Sequence, residues 1–189
     1  MANAREILSR MKSVQDTRKI TNAMYLISST KLKKSKKLLE ETEPYFYTLQ
    51  DLIRRILRHM PDVEHFYFNP RSEIKGADRT KGLIVITGDK GLAGAYNHNV
   101  LKMAQEWMEQ SKNHRLYVVG ELGRHYFEAR HIQVEEQFHY TVQNPTMHRA
   151  RLISSTILED YEEGRLDEVW IIYTQMINSM QMEAEMTAL

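Results

Sequence analysis

The first sixty residues form one long run of helix-forming residues. From Asn3 to about Met60 the stretch contains no glycine, and Pro44 is the only residue that opposes a helix. Proline lacks a backbone donor and crowds the preceding turn, so we expect the helix to be kinked or split in two at Pro44. The part before Pro44 alone spans about 60 Å at about 1.5 Å per residue, which is more than the diameter of a small domain. The pattern therefore predicts a helix that projects from the rest of the chain.

The apolar residues of this predicted helix do not stay on one side. At about 100° of rotation per residue, one stripe holds Ala4, Ile7, Leu8, Met11, Val14, Tyr25, Leu26, Leu32 and Leu39. A second group lies nearly opposite and consists of Ile20, Met24, Ile27 and Leu38. Each large apolar side chain left in water forgoes about 1.5–3 kcal/mol of burial, so a single neighbour is not enough. The helices predicted after residue 60 are short and needed elsewhere, and we expect covering partners from outside this chain.

Simpler interpretations of the same residues remain open. Ala23, Ser28, Ser29 and Thr30 allow another backbone to come close, but they are also ordinary helix-filling residues. The lysines within 31–37 point in several directions, as they do on a solvated helix surface. Neither interpretation explains why basic charge and apolar residues on two sides occur together, whereas an enclosing partner explains both.

Beyond residue 60 the pattern changes twice. Residues 61–81 contain two prolines, a glycine and many charges, which is typical of a linker. From residue 82 short apolar runs alternate with stretches of helical spacing. The predicted strands are GLIVI, RLYVVGEL, VEEQFHYTV, DEVWIIYTQMI and SMQMEAEMTAL, and the predicted helices are HNVLKMAQEWMEQSK, GRHYFEARH and PTMHRARLISSTILEDYEEG. This alternation predicts an α/β domain over 82–189, with a mostly parallel sheet and helices on both faces.

Charge is distributed unevenly along the chain. The net charge is only +1, but residues 1–40 carry ten Lys or Arg against three Asp or Glu. A basic section of this kind favours an acidic partner, which leaves nucleic acid, anionic lipid and an acidic protein surface open. Nucleic-acid binding needs no second apolar face on the helix, so the two-sided apolar pattern disfavours it.

Composition excludes several other classes. The longest apolar runs are far shorter than the roughly 18 residues of a transmembrane helix, and the N-terminus has no signal-peptide pattern. The chain has no cysteine, which excludes disulfides and thiolate metal sites and fits a cytoplasmic protein.

The stretch TGDKGLAGAYN after the first strand is the one candidate for nucleotide chemistry. Glycines at such a turn let phosphate approach backbone N–H groups, and Glu121 lies where an acid could bind a ribose. The spacing of Gly88, Gly91 and Gly94 misses both the dinucleotide fingerprint and the P-loop, so a tight structural turn is favoured. A Rossmann-type nucleotide-binding enzyme remains the alternative. The histidines are scattered, and we expect no metal site, no cofactor and no catalytic residue.

Two motifs resemble the gamma subunit of the rotary F-type ATP synthase. The first consists of Arg18-Lys19-Ile20-Thr21, Ala23-Met24 and Lys31-Leu32-Lys33-Lys34. The second is the glycine turn, in which Asp89, Lys90, Gly91, Leu92, Gly94 and Asn97 match, while Ala93 stands where many members have Cys. The resemblance extends over all 189 residues in order.

The resemblance implies a fold and a mechanical role. Residues 1–60 would form one helix of an antiparallel coiled-coil shaft, with a linker over 61–81 and a Rossmann-like domain over 82–189. The implied partners are the ring of alpha and beta subunits, the epsilon subunit and the membrane c-ring, at the cytoplasmic face of a bacterial plasma membrane and without direct membrane insertion. The shaft residues expected to contact partners are Arg18, Lys19, Ile20, Met24, Ile27, Lys31, Lys33 and Lys34. The second shaft helix of the family has no counterpart here, so a truncated chain is expected.

Overall fold

The computed structural model describes residues 4–60, 65, 67, 71, 73–76, 78–138, 142, 145–178 and 180–189. The chain divides into two compact units, Met1–Glu64 and His65–Leu189. Much of the predicted linker over 61–81 lies outside the described residues, so its boundaries stay a prediction.

The first unit is a single helix, α1, over Ala4–His59. Many helix formers favour it, and so do local ion pairs such as Arg10 to Glu6 at 3.0 Å and Lys19 to Asp16 at 3.4 Å. No residue of α1 is buried within the described chain. The helix therefore has no tertiary core of its own, although tertiary packing supplies most helical stability in proteins.

Of the two effects expected at Pro44, a kink or a split, the split is wrong, because α1 continues through this residue as one helix. Proline removes one backbone donor, which leaves the carbonyl of Glu40 without its usual partner four residues on. Both residues are exposed, so water can satisfy that carbonyl. The long helix-forming stretches on either side then keep the helix going.

The second unit is built on a five-stranded sheet. Its strands are β1 (Lys81–Ile86), β2 (His114–Val119), β3 (Glu136–Phe138), β4 (Glu168–Met176) and β5 (Met182–Ala188). Their order in the sheet is β3-β2-β1-β4-β5. The pairs β1–β2, β1–β4 and β2–β3 are parallel, and β4–β5 is antiparallel. The prediction of a mostly parallel sheet is confirmed, with an antiparallel strand at one edge.

Three helices connect these strands. They are α2 (Tyr96–Gln110), α3 (Glu121–Glu128) and α4 (Met147–Glu162). As predicted, α4 begins just after Pro145, where the Thr146 hydroxyl accepts a hydrogen bond from the Arg149 N–H, and it ends before Gly164. The last part of the predicted third strand, from residue 139 onward, lies mostly outside the described residues.

The sheet has an apolar core on each face, because successive side chains of a buried strand point to opposite sides. Leu83 and Val85 of β1 belong to the core beneath α2 and α3. Ile84, between them, belongs to the core beneath α4, where it meets Tyr117 and Ile157. Helices therefore cover both faces, as the alternating pattern predicted. The fold is α/β with a Rossmann-like sheet, and the chain carries a long N-terminal helix in addition.

Candidate functional site

The surface of α1 is the first candidate site. Ile20, Met24 and Ile27 are 62%, 48% and 58% exposed. Apolar side chains on the opposite side, including Leu32 and Leu39, are also exposed. Scattered apolar residues are normal on a protein surface, but a long two-sided apolar surface marks an interaction site.

Basic side chains lie among these apolar residues. All of the predicted basic contact residues are exposed, namely Arg18, Lys19, Lys31, Lys33 and Lys34. Lys19 forms an ion pair with Asp16 on its own helix, and such exposed pairs contribute only about 0–1 kcal/mol. The geometry thus offers a rod with accessible cationic and apolar groups.

The glycine turn after β1 is the second candidate site. It lies at the carboxyl end of β1, next to the point between β1 and β4 where the strand order reverses, which is where Rossmann-type folds bind ligands. Two backbone N–H groups there already donate to side chains of the protein. The Gly88 N–H donates to Asn97 Oδ1 at 2.7 Å, and the Glu121 N–H donates to Asp89 Oδ1 at 3.2 Å. Asp89 therefore caps the start of α3, and its carboxylate lies beside the turn at the carboxyl end of β1.

Charge also opposes a nucleotide at this turn. The second oxygen of Asp89, Oδ2, is buried and makes no hydrogen bond within the described part of the chain. An anionic phosphate beside this carboxylate would be repelled. Glu121, the candidate ribose ligand, forms an ion pair with Arg124 at 2.9 Å instead. The arrangement fits a structural turn and disfavours a nucleotide-binding enzyme.

The tip of the same turn is exposed. Leu92 is 94% exposed and has a φ of 62°, and Gly94 has a φ of 57°. Both residues are in the left-handed region, which costs a non-glycine residue roughly 1 kcal/mol or more. Lys90 and Gly91 beside them are exposed as well. The turn motif therefore combines two internal anchors, Asp89 and Asn97, with an exposed tip.

Comparison with known proteins places these features in a family. A family model described as ATP synthase matches residues 3–189. The ATP synthase gamma chain of Acetivibrio thermocellus is 45% identical over 183 residues, which cover 97% of this chain and 61% of that protein. The chain belongs to the ATP synthase gamma-chain family.

Other gamma-chain relatives agree with this assignment. The sodium ion specific gamma chain of Acetobacterium woodii is 35% identical over 187 residues, covering 99% of this chain and 60% of that protein. The chain thus spans about three fifths of the length of the curated gamma chains that it matches. A solved structure, the central stalk and c-ring of the Tetrahymena thermophila mitochondrial ATP synthase, contains a chain with a TM-score of 0.66 at 20% identity. The match covers 90% of this chain and 71% of that one, and it supports the fold.

The sequence analysis did not identify two glycines, Gly120 and Gly123, at which this gamma-chain fold leaves no room for a Cβ atom. A Cβ on Gly120 would overlap the Thr87 carbonyl, and the φ of Gly120 is 103°. A Cβ on Gly123 would lie 2.8 Å from Thr87 Oγ1, which accepts a hydrogen bond from the Gly123 N–H. These contacts join the end of β1 to the start of α3. The spacing G-E-L-G at the end of the second predicted strand was the available signal for them.

A buried polar network was also missed. Asp160 of α4 accepts a hydrogen bond from the hydroxyl of Tyr117, and Tyr117 is 0% exposed. Asp160 also accepts from Arg165 Nε at 2.6 Å and lies 3.4 Å from Arg115 Nη1. Burial and the hydrogen bond to Asp160 raise the pKa of Tyr117. The network links α4 to β2 at the core beneath α4.

Acid is expected to weaken this domain. Burial opposes ionisation of Asp160, but hydrogen bonds from Tyr117 and Arg165 hold its pKa below the usual value, and a hydrogen bond from Arg79 lowers the pKa of Glu168. A carboxylate with a lowered folded-state pKa stabilises the fold above its unfolded pKa of about 4, and this is lost as pH falls through the folded pKa. Urea unfolding should therefore show a lower free energy of unfolding at about pH 3 than at about pH 6.

An Asp160→Asn variant is the control for that pH series. Without the carboxylate, its free energy of unfolding should fall less over the same pH interval. If the variant and the unchanged chain show the same acid dependence, Asp160 does not supply the effect.

The described residues contain neither a candidate metal site nor a candidate membrane-spanning helix. Among them, no group of three or more His, Asp or Glu is placed to hold a metal ion, and His139 lies outside them. No described helix is long and apolar enough to cross a bilayer.

Proposed function

We propose that this chain acts as the central-stalk rotor subunit of an F-type ATP synthase. The observation that carries the proposal is the match to ATP synthase gamma chains over nearly all of its residues, at up to 46% identity. The exposed α1 surface supports the same role, because a shaft must be long, accessible and chemically adapted to surrounding subunits. The chain would perform no chemistry itself, and the catalytic reaction would belong to the beta subunits.

The mechanism would be mechanical coupling. Ion flow would turn the c-ring, and α1 would turn with it inside the ring of alpha and beta subunits. A shaft that contacted all beta subunits alike would shift no equilibrium between their states. The uneven arrangement of basic and apolar residues around α1 supports a differential contact, in which each beta subunit meets a different side of the helix in turn.

The proposed partners follow from the charge and the apolar surface. The alpha and beta subunits would contact Arg18, Lys19, Ile20, Met24 and Ile27, together with Lys31, Lys33 and Lys34. The exposed turn at Asp89 to Asn97 and the α/β domain would lie nearer to the epsilon subunit and the c-ring. The protein would then be peripheral at the cytoplasmic face of a bacterial plasma membrane, held there by the complex. We propose the domain boundaries 1–60, 61–81 and 82–189 on the same basis.

The test is capture of tagged alpha and beta subunits from the source organism by this chain. We expect the chain to retain them and a variant with Ile20, Met24 and Ile27 all changed to Ser to lose about 100-fold in affinity, since each truncation removes about 1 kcal/mol or more of burial. A variant with Glu40 and Glu41 changed to Gln is the control and should bind normally. Equal retention of the serine variant and the control would contradict the proposed contact surface.

A further inference from the structure

Residues 65–80 lead into the first strand of the sheet, and we call the described residues of this segment the strap. The sequence pattern is typical of a linker, because prolines, a glycine and charges cluster there. The structure nevertheless bonds the strap to one region of the α/β domain, the end of α4 and the start of β4 over 161–168. The described residues of the strap are therefore held to the domain at several points.

The side chain of Arg71 makes the central contacts. Its guanidinium donates to the Tyr161 carbonyl at 2.6 Å, to the Leu166 carbonyl, and to Asp167 Oδ1 at 2.8 Å. The same group lies over the Tyr161 ring, 4.3 Å from the ring centroid. The side chains of Arg71 and Asp167 are only 16% and 7% exposed, so water and salt screen this charged contact much less than they screen a surface ion pair.

The backbone of Arg71 is held in an unfavourable conformation. Its φ is 45°, in the left-handed region that residues other than glycine rarely adopt. Such a conformation persists only where surrounding contacts enforce it. The Arg71 carbonyl makes two of these contacts, because it accepts from the Ile74 N–H at 3.0 Å and from Arg79 Nη2 at 3.1 Å. The strap is thus bonded to itself as well as to the domain.

A second set of bonds joins the end of the strap to the start of β4. Arg79 Nη1 donates to Glu168 Oε1 at 2.7 Å. The Thr80 N–H donates to Asp167 Oδ2, and the Thr80 carbonyl accepts from the Asp167 N–H, each at 2.8 Å. The two carboxylate oxygens of Asp167 are therefore divided between Arg71 and Thr80.

The position of these bonds determines how a pulling force would enter the sheet. Lys81, directly after the strap, begins β1 and pairs with Glu168 at the start of β4, where the two strands run parallel. A pull on the chain from the side of residue 60 reaches β1 through the covalent backbone. The bonds of Arg71 and Arg79 carry the same pull to β4 and to the end of α4. The force is then shared, and bonds that are loaded together resist rupture better than bonds that are loaded one after another.

We propose that the strap is a mechanical clamp, with Arg71 as its main positioning residue, which spreads a pulling force from residue 60 over β1, β4 and α4. This claim concerns the α/β domain alone and stands without the rotor proposal. Its use in rotation rests on that proposal, because torque that passes along the backbone between residue 60 and the sheet would pass through the clamp. A failed capture of alpha and beta subunits would contradict the rotor contacts and leave the force measurement below unchanged.

Forced unfolding of single molecules tests the clamp. The chain has no cysteine, so handles can be attached at introduced cysteines. Handles at Met60→Cys and Met180→Cys pull through the strap, because residue 60 precedes it and Met180 follows β4. Handles at Lys112→Cys and Met180→Cys pull on the sheet without loading the strap, because Lys112 precedes β2. All three attachment residues are exposed.

Replacing Arg71 with alanine should weaken the domain only when the strap is loaded. With handles at residues 60 and 180, Arg71→Ala should unfold about 10-fold faster or more at the same force, because it loses several hydrogen bonds from a charged group. With handles at residues 112 and 180, its unfolding rate should stay near that of the unchanged chain, because the bonds of the strap are not the ones that this pull breaks.

Arg130→Ala is the matched control. Arg130 also lies over a tyrosine ring, 3.6 Å from the centroid of Tyr126, and donates to the carbonyl of that residue at 3.3 Å, but it is outside the strap. This variant should unfold like the unchanged chain with both pairs of handles.

Arg71→Lys is the second variant, in case Arg71→Ala does not fold. It keeps the charge but loses the forked geometry of the guanidinium, so it should also unfold faster only when the strap is loaded. The proposal is overturned if loss of Arg71 speeds unfolding equally with both pairs of handles, since that is a purely structural role, or with neither pair. Failure of both variants to fold would assign Arg71 to folding alone and would overturn it as well.

Discussion

Replacing Gly120 with alanine is expected to destabilise the α/β domain by about 4 kcal/mol or to prevent its folding. The new Cβ would overlap the Thr87 carbonyl, and a φ of 103° is itself unfavourable for alanine by about 1–3 kcal/mol. The backbones of Thr87 and Gly120 are in contact where the end of β1 lies beside the start of α3. Neither backbone can move without disturbing the sheet. Urea unfolding followed by tryptophan fluorescence is the measurement. It reports on this domain alone, because both tryptophans, Trp107 and Trp170, pack against its core.

Gly91→Ala is the matched control for that substitution. Gly91 lies in the motif shared with the family, but a Cβ there would have no atom within 4 Å, and its φ is not positive. We expect its free energy of unfolding to change by less than about 1 kcal/mol. Similar losses for Gly91→Ala and Gly120→Ala would mean that the contact with Thr87 does not decide the stability of this join.

Replacing Asp160 with alanine is expected to cost about 3 kcal/mol. The change leaves the buried Tyr117 hydroxyl without its acceptor and removes the carboxylate partner of Arg165 and Arg115. Removing one member of a buried polar network costs more than the net value of the interaction, because the remaining groups stay desolvated. The same urea titration measures the loss.

Glu163 provides the comparison for Asp160. It lies near the same end of α4 and also pairs with Arg165, but its side chain is half exposed. Glu163→Ala should therefore cost less than about 1 kcal/mol. The double variant with Asp160→Ala and Tyr117→Phe should lose less stability than the two single losses together, since it removes both partners of one bond. Strict additivity would show that Tyr117 and Asp160 are not coupled.

Local patterns in the sequence predicted most of the secondary structure, because they arise from local physical causes. The run of helix formers over 3–60 reflects backbone propensity, and the short apolar strands reflect which side chains are buried and at what period. The split at Pro44 did not occur, because propensity ignores the helix-forming stretches on both sides and the solvent around an exposed carbonyl. The two motifs at Arg18 to Lys34 and Asp89 to Asn97 were sufficient to indicate the family.

Contacts between distant residues could not be predicted in this way. Tyr117 and Asp160 are 43 residues apart, and their hydrogen bond leaves no periodic signal in either segment. The sheet order, with β4 beside β1, likewise depends on packing of the whole domain. The role of Asp89 at the start of α3 was hidden for the same reason, since its partner Glu121 lies 32 residues away. The glycine-rich turn therefore left a nucleotide-binding alternative open, although two backbone N–H groups beside it already donate to Asn97 and Asp89.

The most direct test of the rotor proposal is the environment of α1 in a cryo-EM structure of the ATP synthase from the source organism. The account predicts that Ile20, Met24 and Ile27 pack against neighbouring polypeptides, with the lysines near acidic side chains of the surrounding ring. A reconstruction in which these three apolar side chains face water in every rotational state would contradict it.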